Sequence, residues 1–251
     1  MARMRRSSPN PQPLLLVFAH PDDESFGVGG AAAVYAAAGV PVYLACATKG
    51  ERGTTDPALA GQKLGAIREG ELRRACAILG VRDVSFLGYM DGDVDKVAFP
   101  EMVESIAEVL RRVKPDAVVT FGPDGVTRHP DHVAVGRAAT AAFHRVRRQE
   151  GYRYPRRLYY VALPESRRRA FRSGDALMYT PDEQITATVD ISRVLDLKLK
   201  AIACHKSQED ARSFLAHADE WKASGDLTQE CFVRAWPRGR RKDSTLLSPS
   251  A

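Results

Sequence analysis

The 251-residue chain is 44% hydrophobic and 27% charged, ordinary values for one globular domain large enough to bury a full core. No stretch is apolar for long enough to span a bilayer, and the four cysteines stand singly, which excludes a Cys-x-x-Cys zinc site or redox pair. The net charge of +6 collects in residues 147–157, 166–172 and 238–242; these runs lack the interleaved aromatics and fold motif of a nucleic-acid binder and read as solvated faces, so no nucleic-acid partner is expected.

Residues 1–13 read as a disordered basic leader. The apolar run that follows is too short for a signal peptide, lacks a small-residue cleavage site and enters "HPDDE" directly, so a cytoplasmic location is expected. Residues 14–19 form a buried strand, and the alanine-rich residues 29–39 a helix closed by glycine. Strands over 41–48, 83–88 and 116–122 alternate with helices over 63–80, 100–115 and about 130–146. That alternation implies βαβ units, hence a Rossmann-like three-layer α/β fold with a mostly parallel sheet. Beyond it the pattern is less regular: strands near 158–163, 184–190 and 229–236, a helix over 192–205 and a shorter helical segment near 211–222. Residues 14–237 are expected to form a single domain, and 238–251 a disordered tail.

In open α/β sheets, ligands bind beyond the carboxyl ends of the strands. "HPDDE" follows the first strand, "TKGERG" the second, "GYMDGD" the third and "GPDGVTRHPDH" the fourth, so the unusual polar clusters converge on one sheet edge. His20 and Asp23 can present a nitrogen and an oxygen to one cation, and "HPDH" adds His129 and His132 at a helix start. Two N ligands, one O ligand and a fourth position open to water describe a catalytic zinc site. Such a cation also offsets the repulsion between Asp22 and Asp23. Glu24 suits the start of the following helix, where the dipole favours acid. "GVGGAAA" lacks the G-x-G-x-x-G of a dinucleotide site.

"AHPDDE" with a distant "HPDH" resembles the PIG-L/LmbE family of zinc-dependent N-acetylglucosaminyl deacetylases, as do "TKGERG", "REGELRRACAILGV", "FLGYMDGD" and "KLKAIACHKSQ". The resemblance implies zinc held by His20, Asp23 and His132, with Asp22 as general base toward water. It leaves open whether Asp22 or His129 protonates the departing amine, and a protonated His129 would also hold the oxyanion. Asp131 then orients an imidazole or caps the helix, while Glu51, Arg68 and Asp91, the last favoured over Asp93, line the sugar pocket. His205 falls at a helix end or pocket wall. Thr127 and Arg128 stand where the family often carries an aromatic residue, which puts an oxyanion contact from a tyrosine in doubt.

The expected activity is removal of an acetyl group from a GlcNAc-like small-molecule conjugate, with Zn2+ or another divalent ion such as Fe2+. A homo-oligomer is compatible with everything in the sequence. One alternative is an amidase cleaving a larger sugar-thiol conjugate amide, separated by activity on bulky N-acyl substrates. Another is a non-catalytic nucleotide- or RNA-binding Rossmann-like protein, which would hold no stoichiometric metal and would bind with a steep salt dependence.

Overall fold

A computed structural model describes residues 11–53, 58, 60–149, 151–171, 177–239, 242, 243 and 245–247. They form strands β1 (Leu14–Phe18), β2 (Val42–Cys46), β3 (Val81–Phe86), β4 (Ala117–Thr120), β5 (Arg157–Ala162), β6 (Ala187–Asp190) and β7 (Gln229–Trp236). The helices are α1 (Asp23–Ala37), α2 (Gln62–Leu79), α3 (Phe99–Val113), α4 (Pro130–Arg147), the single turn α5 (Arg168–Phe171), α6 (Leu195–Ile202), α7 (Glu209–Ala216) and α8 (Ala218–Ser224).

β1 is apolar at every position because both its faces are covered. It lies inside a seven-stranded sheet of order β3-β2-β1-β4-β5-β7-β6. β1 pairs in parallel with β2 (Leu14 opposite Val42) and with β4 (Leu14 opposite Ala117). β3 and β5 extend the parallel run, and β7 alone is antiparallel to its neighbours β5 and β6. α1 packs on α2 and α6, and α3 on α4. The winding direction reverses after β3, so right-handed crossovers place these two groups on opposite faces. The β1/β4 boundary is therefore the topological switch point, where a crevice opens beyond the strand ends. Among the described residues no helix is long and apolar enough to cross a membrane.

Three elements differ from the sequence expectation. α1 starts at Asp23, six residues before the expected 29, because the acids that look like loop residues occupy its first turn. The helical segment expected near 211–222 is two helices broken at His217; the break buries Trp221, which meets Phe214 and Phe171 edge-on at 4.8 and 5.1 Å. Residues 1–10 of the leader and part of the tail lie outside the described residues, but Asp243 and residues 245–247 pack onto the sheet instead of trailing from it. Asp243 pairs with Arg234 at 2.7 Å and accepts the Tyr159 hydroxyl at 2.9 Å, and Leu246 is fully buried.

A buried ion pair ties α6 and β7 to the middle of α1. Glu230 accepts the N–H groups of Gly30 and Ala31 at 2.9 and 2.7 Å, and Lys198 donates to Glu230 and to the Phe26 carbonyl at 2.7 Å. The Phe26 carbonyl and Gly30 N–H, which an α-helix would close on each other, are thus met by side chains from elsewhere in the fold. Glu230→Ala leaves the Lys198 ammonium buried and uncompensated; unfolding in urea is expected to show a loss of about 3–5 kcal/mol.

Candidate metal centre and catalytic site

The chain leaves β1 through a tight turn. The Asp23 carboxylate folds back and accepts the N–H groups of Ala19 and His20 at 3.1 and 2.8 Å, which fixes it against the strand end. Asp22, just before α1, sits at φ 122°, ψ −29°. For a non-glycine residue this backbone costs about 1–3 kcal/mol and persists only where the surroundings over-determine it. Each buried apolar side chain of β1 contributes about 1.5–3 kcal/mol, so a few of them outweigh that cost.

The second half of the site comes from the end of β4. The loop to α4 turns through positive φ at Gly125, Val126 and Arg128. His129 precedes α4, and its Nδ1 accepts the Asp131 N–H at 3.2 Å; Pro130 occupies the first turn, where a missing N–H costs nothing. His132 stacks on Phe121 with ring centroids 4.1 Å apart and planes 6° apart. Its Nδ1 stands 3.0 Å from the Gly125 carbonyl, which can only accept, so the proton belongs on Nδ1 and the Nε2 lone pair faces the site. Thr127 Oγ1 lies 3.1 Å from the same Nδ1.

His20 completes the centre. Its Nε2 is 3.1 Å from Asp131 Oδ2 and 3.1 Å from Asp91 Oδ1, two carboxylates that hold the proton on Nε2 and turn the Nδ1 lone pair inward. Asp131 also accepts the Gly92 N–H at 2.7 Å and the Val94 N–H at 3.3 Å. Three donor groups then converge. His20 Nδ1 is 3.1 Å from His132 Nε2, and the Asp23 carboxylate turns one oxygen to each ring: Oδ1 is 3.3 Å from His132 Nε2 and Oδ2 is 3.7 Å from His20 Nδ1. Two imidazole lone pairs and a carboxylate facing one another repel unless a proton or a metal cation stands among them. The donor set of two nitrogens and one oxygen fits a divalent transition metal.

Protonation follows the same crowding. Burial alone would lower His20, but the Asp131 and Asp91 hydrogen bonds and the Asp23 charge push it up to about 10. His132 is pushed down to about 4 by burial and by the His20 charge. Without an ion, one proton is therefore shared unequally between the two rings. His129 is lowered by burial and by the His20 and His132 charges, which keeps it neutral, with its proton on Nε2. Burial raises Asp22 to about 6; the Arg68 charge opposes this and the Asp23 charge reinforces it. Asp91 is held down at about 2 because its bonds to His20 outweigh burial.

Two other donor groupings share His20: with His129 and His132, and with Asp91 and Asp131, each within 4.8 Å. The second lies on the Nε2 side of His20, where the carboxylates already have a proton to accept. In the first, His129 turns its Nδ1 to a backbone N–H and carries its proton on Nε2, leaving it no free lone pair. In the grouping of His20, Asp23 and His132, Asp23 Oδ2 accepts two backbone N–H groups, but Asp23 Oδ1 and the inward-facing nitrogens of both rings are directed at one another.

The structure brings His20, Asp22, Asp23, Asp91, His129, Asp131 and His132 together across the switch point. Arg68 is only 3% exposed and is turned into the protein, with its guanidinium on the Pro21 carbonyl at 2.6 Å, the Gly50 carbonyl at 3.2 Å and Asp22 Oδ2 at 3.1 Å. A Cβ on Gly50 or Gly53 would fall 2.5 or 2.0 Å from that guanidinium, so both positions require glycine for Arg68 to lie there. Glu51 is buried and accepts the Asp91 N–H at 3.4 Å. Asp93 faces outward to Arg52 and Lys96, whereas Asp91 reaches His20. The sequence reading missed the backbone of Gly92 and Val94 under Asp131 and the contact of Thr127 with His132, which no residue pattern marks. It also did not pair Glu24 with His205, described below. Arginines of the basic runs meet internal acceptors: Arg147 the Pro155 carbonyl, Arg157 that of Leu247 and Arg167 that of Gln229.

The family profile described as PIG-L, GlcNAc-PI de-N-acetylase, matches residues 15–143. A 1D-myo-inositol 2-acetamido-2-deoxy-alpha-D-glucopyranoside deacetylase of Saccharomonospora viridis is 37% identical over 78% of this chain and 84% of its own length. A probable N-acetyl-alpha-D-glucosaminyl L-malate deacetylase of Bacillus cereus is 32% identical over 82% of this chain and 87% of its own. Among solved structures, the N,N'-diacetylchitobiose deacetylase of Pyrococcus horikoshii superposes with a TM-score of 0.70 at 26% identity, covering 89% of this chain and 83% of that one.

Proposed function

The chain belongs to the PIG-L family, and on that premise we propose that it removes the acetyl group from the amino nitrogen of a small GlcNAc conjugate, with zinc held by His20, Asp23 and His132. The observation that carries the reading is that His20 Nδ1 and His132 Nε2, 3.1 Å apart, each face an oxygen of the Asp23 carboxylate, at 3.7 and 3.3 Å, beside the carboxylate of Asp22. Such an ion supplies Lewis acidity: it polarises an amide carbonyl and makes water nucleophilic near neutral pH.

The chain's own residues do the rest. Asp22, raised to about 6, is mostly ionised at pH 7 yet basic enough to take the proton of the attacking water. Arg68 holds one Asp22 oxygen and leaves the other free for that proton. His129, neutral with N–H on Nε2, donates to the oxygen that gains charge as the carbonyl becomes tetrahedral. As the C–N bond breaks, Asp22 returns its proton to the leaving amine, and acetate and the free amino sugar result. His129 is kept for the oxyanion because it begins the cycle without a second proton to give.

Asp131 is assigned to orient His20 from the side away from the metal, with Asp91 beside it. Asp131→Asn is expected to weaken metal binding about 10–100-fold, read by competition with a chromogenic chelator. Glu51 we assign to the pocket wall, ordering the Asp91 loop, and the catalytic domain we extend past 237 to take in Asp243 and Leu246, which pack against it. Four free thiols suit the cytoplasm, where we place the protein.

The test is a screen of GlcNAc, GlcNAc-inositol, GlcNAc-malate and N,N'-diacetylchitobiose with released amine detected. Amine release from at least one, lost with a chelator and restored by zinc, is the expected result. No release from any of the four by protein carrying a full equivalent of metal would refute it.

A further inference from the structure

The stretch "CHKSQ" follows α6 and takes no part in the chemistry above, yet it runs beneath the catalytic turn. His205 is fully buried, 180 residues from Ser25 and 181 from Glu24 in sequence. Its Nε2 lies 3.2 Å from Glu24 Oε1 and 3.3 Å from Ser25 Oγ, while its Nδ1 is buried with no hydrogen-bond partner among the described residues. Glu24 is fully buried too; its Oε1 also accepts the Ser25 hydroxyl, and its Oε2 accepts the N–H of Asp22 at 3.1 Å. The segment is bolted down on its other side, where Glu71 accepts the N–H and hydroxyl of Ser207 at 2.9 and 2.7 Å.

The backbone that Glu24 grips is the strained one. Asp22 at φ 122° must be held from both sides if its carboxylate is to meet a water repeatedly in one orientation. Arg68 holds the side chain and the preceding carbonyl; Glu24 holds the N–H. Glu24 presents Oε2 to that N–H while its Oε1 is held by two groups, the Ser25 hydroxyl on its own helix and His205 Nε2, the one that comes from outside the helix. We infer that His205 is a positioning residue for the general base, acting through Glu24 on the backbone of Asp22, and that it does so through Nε2 alone. This rests on the reading of Asp22 as the base.

The two ring nitrogens give a test that does not depend on a truncated variant folding. Glutamine can place an amide N–H near the position of Nε2, and asparagine only near that of Nδ1. With zinc-loaded full-length protein, His205→Gln is expected to keep kcat within about threefold. His205→Asn is expected to lose about 10–100-fold in kcat, with KM, metal content and calorimetric affinity for the amino-sugar product unchanged. Equal kcat in the two variants, or loss of metal or product affinity together with kcat in His205→Asn, would overturn the inference. Asp22→Asn run alongside separates the premises: if that variant stays active, the reading of the base has failed. If it is inactive while His205→Gln and His205→Asn behave alike, only the positioning role has.

Discussion

Asp22→Asn is expected to lower kcat for amide cleavage by about 10²–10⁴-fold while the protein keeps its full equivalent of metal, since a positioned general base contributes about that much. Asparagine is the informative replacement. Its carbonyl oxygen can still accept from Arg68, which sits 3.1 Å from Asp22 Oδ2, and asparagine tolerates positive φ better than most residues. The strained turn and the Asp23 carboxylate next to it therefore persist, and only the ability to take a proton is lost. Metal content by mass spectrometry and single-turnover rates are the two readings. A variant that loses its metal would show that the division of labour between Asp22 and Asp23 is wrong.

The second large effect separates the two histidines of "HPDH". His132→Ala is expected to weaken metal binding by more than about 100-fold, beyond the 10–100-fold typical of losing a merely orienting partner. His129→Ala should keep the metal and lose about 10²–10³-fold in kcat, the cost of one oxyanion donor. The difference follows from tautomers: His132 gives its Nδ1 proton to the Gly125 carbonyl and turns a lone pair toward His20 and Asp23. His129 spends its lone pair on the Asp131 N–H and is left with a proton to donate. Thermal melts of both variants come first, so that metal is assayed only on folded protein. Equal metal loss in the two would mean that the grouping of His20, Asp23 and His132 is not the site.

Much of this is legible in the sequence alone. Apolar strands that end in acids and histidines place polar clusters at one sheet edge, and the switch point between β1 and β4 makes their meeting a matter of topology. Side-chain direction was not legible. The family resemblance implies a sugar-pocket role for Arg68, but its guanidinium lies beneath the turn, where Gly50 and Gly53 leave room for it. The start of α1 was missed because a turn rich in like charges resembles a loop until Glu24 is seen to be neutralised by a histidine 181 residues away. The packed residues near the carboxy terminus carry no periodicity; single contacts such as Asp243 with Arg234 and Leu246 under Tyr35 hold them.

The most direct measurement is anomalous diffraction at the zinc edge from crystals of the zinc-loaded protein. The proposed ligand set predicts one strong peak about 2.0–2.2 Å from His20 Nδ1, His132 Nε2 and an Asp23 oxygen. It also predicts that Asp22 stays off the ion and that Asp131 and Asp91 remain on His20 Nε2. A peak bound through His20 Nε2 with Asp91 and Asp131, or through His129, would contradict it.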